Sequence, residues 1–103
     1  ASLSGQKGVP GQTNYSAAKG AMIAATKALS QEIAKRKITV NAIAPGEVET
    51  DILSDGTDQI IAGLPLRRIG QPNEVANAIY FLCSKNSSYV TGSEISINGG
   101  QHV

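Results

Sequence analysis

The sequence predicts an α/β protein built on a parallel sheet, and three observations carry that reading. A helical apolar pattern runs from about Thr13 to Lys35. A β-branched, mostly apolar run, "ITVNAIA" from Ile38 to Ala44, follows it. A second helical pattern opens at Pro72 and leads to another strand-like run, "SEISING". Helix, strand, helix and strand in this order point to parallel strands joined by right-handed crossovers. Two such strands alone would leave both faces and both edges of the sheet open. The 103 residues therefore read as part of one larger doubly wound domain, with no boundary inside residues 1–103.

Each element has its own signal. Residues 1–12, "ASLSGQKGVPGQ", are rich in Gly, Ser and Pro and are predicted to be a loop. Thr13 or Asn14 is expected to cap the first helix. That helix carries two apolar stripes. Ala18, Met22, Ala25, Leu29 and Ile33 form one; Ala17, Ala21, Ala24 and Ala28 form the other. One stripe suffices for packing on a sheet, so the second predicts a partner helix, from upstream or from a second subunit. "ITVNAIA" has the nearly continuous apolar character of a strand buried on both faces, ended by Pro45-Gly46. Residues 47–70 are mixed, with glycines at 56, 63 and 70 and a proline at 65, and predict a mobile segment with one or two short helices. The helix from Pro72 has its apolar face at Val75, Ile79, Leu82 and Cys83. "SSYVTG" reads as a loop, and Gly99-Gly100 stops the last strand.

Composition narrows the function classes. Nine Lys+Arg against eight Asp+Glu leave almost no net charge, with no basic block for nucleic acid. Aromatic residues are 4% against 41% hydrophobic, which requires an aliphatic, alanine-rich core. The single cysteine, Cys83, excludes an internal disulfide and fits a reducing, cytoplasmic setting. It is expected to be packed on its helix. No apolar run approaches the ~20 residues of a membrane span, and no stretch reads as a secretory signal. The chain opens on Ala1-Ser2 without a methionine, which suggests a beginning cut off. His102 has no second ligand candidate nearby, so no metal is expected, and Asn41 is expected to satisfy backbone groups around its strand.

The chemistry centres on "NYSAAK", Asn14 to Lys19. On a helix, Tyr15 and Lys19 share a face one turn apart. A free phenol titrates near ~10 and is a poor acid or base at neutral pH. Bringing one to neutrality requires about 4 kcal/mol of extra stabilisation of its anion. A cation ~4 Å away supplies roughly that amount at an effective dielectric of ~20. Such pairs are also common on solvated helix surfaces, and the spacing alone does not separate the two cases. Ser2, thirteen residues before Tyr15, offers a hydroxyl for a substrate carbonyl. After the buried strand comes "PGEVET", at the carboxyl end of a strand, where ligands of open α/β sheets bind.

Ser2, "NYSAAK", "ITVNAIAPG", "VET" and "VTGSEISINGG" together resemble the second half of a short-chain dehydrogenase/reductase. Within that family, "LPLRRIGQPNEVANAIYFLCSKNSSYVTG" is most similar to 3-oxoacyl-(acyl-carrier-protein) reductases. The resemblance covers essentially the whole chain. It implies a Rossmann-like doubly wound fold, of which this is the C-terminal half without the nucleotide-binding half. It implies Tyr15 as the general acid that protonates the carbonyl oxygen. Lys19 would favour the phenolate and bind the nicotinamide ribose hydroxyls, and Ser2 would orient the substrate carbonyl. The main chain around Val48 and the Thr50 hydroxyl would hold the nicotinamide carboxamide, in a pocket shaped by the Pro45-Gly46 turn.

The implied cofactor is NADP, with NAD open, and the implied substrate is an acyl thioester on acyl carrier protein. Residues 51–68 resemble a substrate loop, with Arg67 and Arg68 as possible attractors of an acidic carrier. The complete protein is expected to be a homo-oligomer, a dimer or tetramer. Glu47 departs from the apolar residue of many relatives and is expected at the rim of the nicotinamide pocket. The glycine-rich phosphate loop, the NAD/NADP selector and the active-site asparagine of the family would all lie upstream of Ala1. The chain by itself is therefore expected to be inactive. The competing reading is a catalytically silent fragment or assembly module, or a dehydrogenase of another alcohol or ketone.

Overall fold

The computed structural model describes residues 1–50 and 57–103. In chain order these form α1 (Leu3–Lys7), α2 (Thr13–Ile33), a 3₁₀ turn (Ala34–Arg36), β1 (Ala42–Pro45), α3 (Thr57–Gly63), α4 (Pro72–Leu82), a second 3₁₀ turn (Lys85–Ser87) and β2 (Glu94–Ile97). The strands are parallel, with Ala42 opposite Glu94 and Pro45 opposite Ile97. Alternation along β1 divides the layers. Ala42 and Ala44 are buried, towards α1 and α2. Thr39, Asn41 and Ile43 line a groove with Ile79, Leu82 and Cys83 of α4. Helices thus stand on both faces of a parallel sheet, the doubly wound arrangement predicted.

Several local expectations are corrected. The segment 1–12 is not all loop: Leu3–Lys7 is helical, with Ser2 at its N-cap and Gly8 at its end. Residue Gln12, not Thr13 or Asn14, precedes the first turn of α2, and no side chain caps it. Regular β1 begins at Ala42 rather than Ile38 and includes Pro45. Ala42 and Gly46 donate their N–H groups to Ser93 and Ile97. The Pro45 nitrogen therefore points away from β2, where a missing donor breaks no rung of the ladder. Ahead of the strand, Val40 donates to the Thr91 hydroxyl and accepts from Gly92 N–H. Asn41 donates to Val90 O and accepts from Ser93 N–H, both at 3.0 Å, the satisfaction of backbone groups expected of it.

Burial departs furthest from the sequence pattern. β1 is buried on one face and half-buried on the other, because α4 covers the second face incompletely. In α2 the packed positions are Ile23 and Ser30, with Ser16, Lys19, Gly20, Thr26 and Ile33 half-buried. The remaining residues of both predicted stripes are exposed, Met22 and Leu29 included. On α4, Val75 and Leu82 are half-buried, while Ile79 and Cys83 are exposed, so Cys83 is not the packed residue expected. Of the short helices expected within 47–70, α3 is present; the part of that expectation, and of the substrate-loop assignment, that falls on residues 51–56 lies outside the described residues. No helix among the described residues is long and apolar enough to cross a membrane.

Candidate active site

The helix α2 leads through a 3₁₀ turn towards the amino end of β1 and packs back along the sheet. Its first turns therefore lie towards the carboxyl end of β1, on the side where Pro45 leads into Gly46–Thr50. Tyr15 and Lys19 meet there: the Lys19 ammonium stands 5.4 Å from the Tyr15 ring centroid, within cation–π range. The Tyr15 ring is 44% exposed and Lys19 half-buried. Among the described residues no hydrogen bond or ion pair occupies the phenol or the ammonium, so both polar ends are free for a ligand.

Ser2 caps α1. Its Oγ accepts from Ser4 N–H at 3.3 Å, which leaves the hydroxyl proton available to an external acceptor. A close crossing docks α1 on α2. A Cβ at Gly5 would lie 2.6 Å from the Lys19 carbonyl carbon and 2.7 Å from Gly20 N, so only glycine allows this approach. Val9 N–H also donates to Ser16 Oγ at 3.1 Å. On the other side, Gln6 donates to the Glu94 carboxylate and, at 2.7 Å, to Ser96 Oγ, which ties α1 to β2. The chain positions of Gly5, Gly20 and Gln6 did not announce this role. The one available signal was Gly20 inside a helix, a placement that costs about 1 kcal/mol relative to alanine and implies close approach.

The turn after β1 is equally constrained. A Cβ at Gly46 would lie 2.7 Å from Asn98 Cβ and 2.9 Å from Gln101 Oε1. Beyond it, Val48 forms an isolated parallel bridge with Gly70. Gly70 N–H donates to Glu47 O at 3.0 Å and Glu49 N–H to Gly70 O at 2.9 Å. That pairing uses the groups on either side of Val48 and turns the Val48 N–H and C=O away from Gly70. Among the described residues no hydrogen bond occupies the Val48 N–H or C=O, and with the exposed Thr50 two residues on these groups suit a planar carboxamide that both donates and accepts. Glu47 is half-buried and lines a cavity of about 270 Å³ with Val48, Arg68 and Asn98. No hydrogen bond among the described residues joins Ser2, Val48 or Thr50 to the Tyr15–Lys19 pair.

Electrostatics concentrate at the start of α4. Arg68 forms a two-pronged pair with Glu74, at 2.7 and 2.8 Å. Glu74 also accepts from Gln71 N–H at 2.8 Å. Hydrogen bonding from Arg68, then from the Gln71 backbone, lowers the Glu74 carboxyl to about 2. The same pairing raises the Arg68 guanidinium. Arg67 donates to Ala62 O. Both arginines singled out for an acidic carrier are therefore engaged within the chain. Among the described residues no cluster of His, Cys, Asp or Glu has the makings of a metal site.

Comparison with known proteins places these features in context. A family model described as enoyl-(acyl carrier protein) reductase matches residues 1–102. The 3-oxoacyl-(acyl-carrier-protein) reductase FabG of Aggregatibacter actinomycetemcomitans is 50% identical over 96% of this chain and 42% of its own length. The acetoacetyl-CoA reductase of Cupriavidus necator is 43% identical over 99% of this chain and 43% of its own. A crystal structure titled short-chain dehydrogenase/reductase SDR:glucose/ribitol dehydrogenase, from Brucella melitensis, superposes with a TM-score of 0.92 at 41% identity, over all of this chain and 43% of that one. The chain spans less than half the length of these relatives. With the family model matching almost end to end and a shared parallel α/β framework, the chain belongs to the short-chain dehydrogenase/reductase family.

Proposed function

We propose that the protein bearing this chain is a nicotinamide-dependent carbonyl reductase that converts 3-oxoacyl thioesters to 3-hydroxyacyl thioesters. The observation that carries the reading is the Lys19 ammonium 5.4 Å over the Tyr15 ring, with no hydrogen bond or ion pair at either polar end among the described residues. A bound nicotinamide supplies the hydride that reaches the carbonyl carbon. Tyr15 donates its phenolic proton to the carbonyl oxygen, so the product is a neutral alcohol. Lys19 favours the phenolate left behind and binds ribose hydroxyls. Ser2 donates a hydrogen bond to the carbonyl and orients it. Val48 main-chain groups and the Thr50 hydroxyl hold the carboxamide, and the Pro45-Gly46 turn keeps them in place.

The substrate class rests on two relatives. One is named for 3-oxoacyl groups on acyl carrier protein and the other for acetoacetyl-CoA, itself a 3-oxoacyl thioester. The resemblance to acyl-carrier-protein reductases favours NADPH over NADH and a homo-oligomeric assembly, and the unpaired cysteine favours a cytoplasmic setting. The test is oxidation of NADPH and of NADH by the complete protein, with acetoacetyl and longer 3-oxoacyl thioesters and with sugars. Turnover with the thioesters is expected. Turnover with sugars alone would overturn the substrate class, and turnover with neither would leave the silent-module reading.

A further inference from the structure

We infer that Gln71 and Glu49 are positioning residues for the nicotinamide carboxamide. They latch the turn after β1 onto the start of α4, and this rests on the proposed role of Val48 and Thr50. The residues are far apart in sequence and meet only in the fold. Gln71 Nε2 donates to the Glu49 carboxylate at 2.7 Å. One residue away, Gly70 makes the two main-chain bonds that flank Val48. Residues 47 to 49 are thus held at three points on one side, and the Val48 N–H and C=O face the other. Glu49, Thr50 and Gln71 also line one concavity of about 400 Å³ with Ile61 and Ile69, so the latch borders open space beside Thr50.

The Gln71 main chain is itself hydrogen-bonded on both sides. Its N–H donates to Glu74 Oε2, while Glu74 is gripped by both prongs of Arg68. Its carbonyl accepts from Glu74 N–H at 2.9 Å. The backbone at the anchor is therefore fixed before its side chain reaches Glu49. A latch anchored this way limits the freedom of Val48 and Thr50. Its effect belongs in the affinity for the nicotinamide group, not in proton transfer.

The test reverses the polarity of one hydrogen bond in the complete protein. Gln71→Glu sets two carboxylates against each other and opens the latch. Glu49→Gln combined with Gln71→Glu restores an amide–carboxylate bond with donor and acceptor exchanged. The single variant is expected to raise the dissociation constant for NADPH about tenfold, the scale of one charge-assisted hydrogen bond. The KM for acetoacetyl thioester is expected to stay within about twofold, because among the described residues no hydrogen bond joins Gln71 or Glu49 to Tyr15 or Lys19. The double variant is expected to return NADPH affinity to within about twofold of the parent, since the bond is re-formed. Unchanged affinity in the single variant, or no recovery in the double, would overturn the latch while leaving the reductase reading intact. Failure of the unaltered protein to bind NADPH or NADH would overturn that reading and the latch with it.

Discussion

Tyr15 and Lys19 are four residues apart on one helix, and their pairing needs nothing beyond helical geometry. Tyr15→Phe deletes one oxygen and little else. In the complete protein, if it is the proposed reductase, turnover is expected to fall by several orders of magnitude with NADPH affinity nearly unchanged, as steady-state rates and a binding titration would show. Near-normal turnover would take Tyr15 out of the reaction. Lys19→Met is expected to weaken both cofactor binding and rate, with Lys19→Arg recovering only part, because a planar guanidinium does not replace a compact ammonium. At the crossing of α1 and α2, Gly5→Ala places a methyl group 2.6 Å from backbone. A loss of about 1–3 kcal/mol in denaturant unfolding is expected, the usual cost of overpacking.

At the level of elements, the start of α4 carries a pH signature. The Glu74 carboxyl moves from an ordinary 4.5 to about 2 when Arg68 and the Gln71 backbone bond to it. A carboxylate depressed in the folded state stabilises above its unfolded value, and that contribution is lost as pH falls towards the folded value. Stability is therefore expected to fall between about pH 4.5 and about pH 2, and Glu74→Gln should flatten that limb of the thermal-unfolding profile. An unaltered acid limb in the variant would show that other carboxylates dominate it. At the amino end of β1, Asn41→Ala would leave Val90 O and Ser93 N–H without their partner. The expected loss is about 1–3 kcal/mol, the cost of unpaired polar groups away from water.

For the molecule as a whole, the radius of gyration is 15.0 Å, against about 13 Å for a compact domain of 100 residues. Met22 and Leu29 on α2, and Ile79, Tyr80 and Phe81 on α4, all face outward. A contiguous alanine stripe beside Met22 and Leu29 is the surface expected to meet another helix. Ala24→Glu with Ala28→Glu is therefore expected to reduce the assembly size of the complete protein in analytical ultracentrifugation. An unchanged sedimentation coefficient would place that stripe against the same polypeptide instead of a second copy.

How much the sequence determined by itself follows from the range of each interaction. Helical periodicity and β-branched runs are local, so α2, α4, the two parallel strands and the Tyr15–Lys19 pair were all legible. So was Asn41, a polar residue in an apolar run whose burial demands partners. The short helix α1 was not legible, because Gly, Ser and Pro in residues 1–12 signal turns and its docking depends on Gly5 meeting Lys19 and Gly20 of another helix. The start of β1 was misplaced because regular pairing begins only where Glu94 lies opposite Ala42. Periodicity also states which residues share a face but not which face is covered. Only the tertiary structure decided that α2 packs through Ile23 and Ser30 with its alanines outward, and that Glu49 meets Gln71. Both depend on contacts between residues distant along the chain, for which a local pattern holds no record.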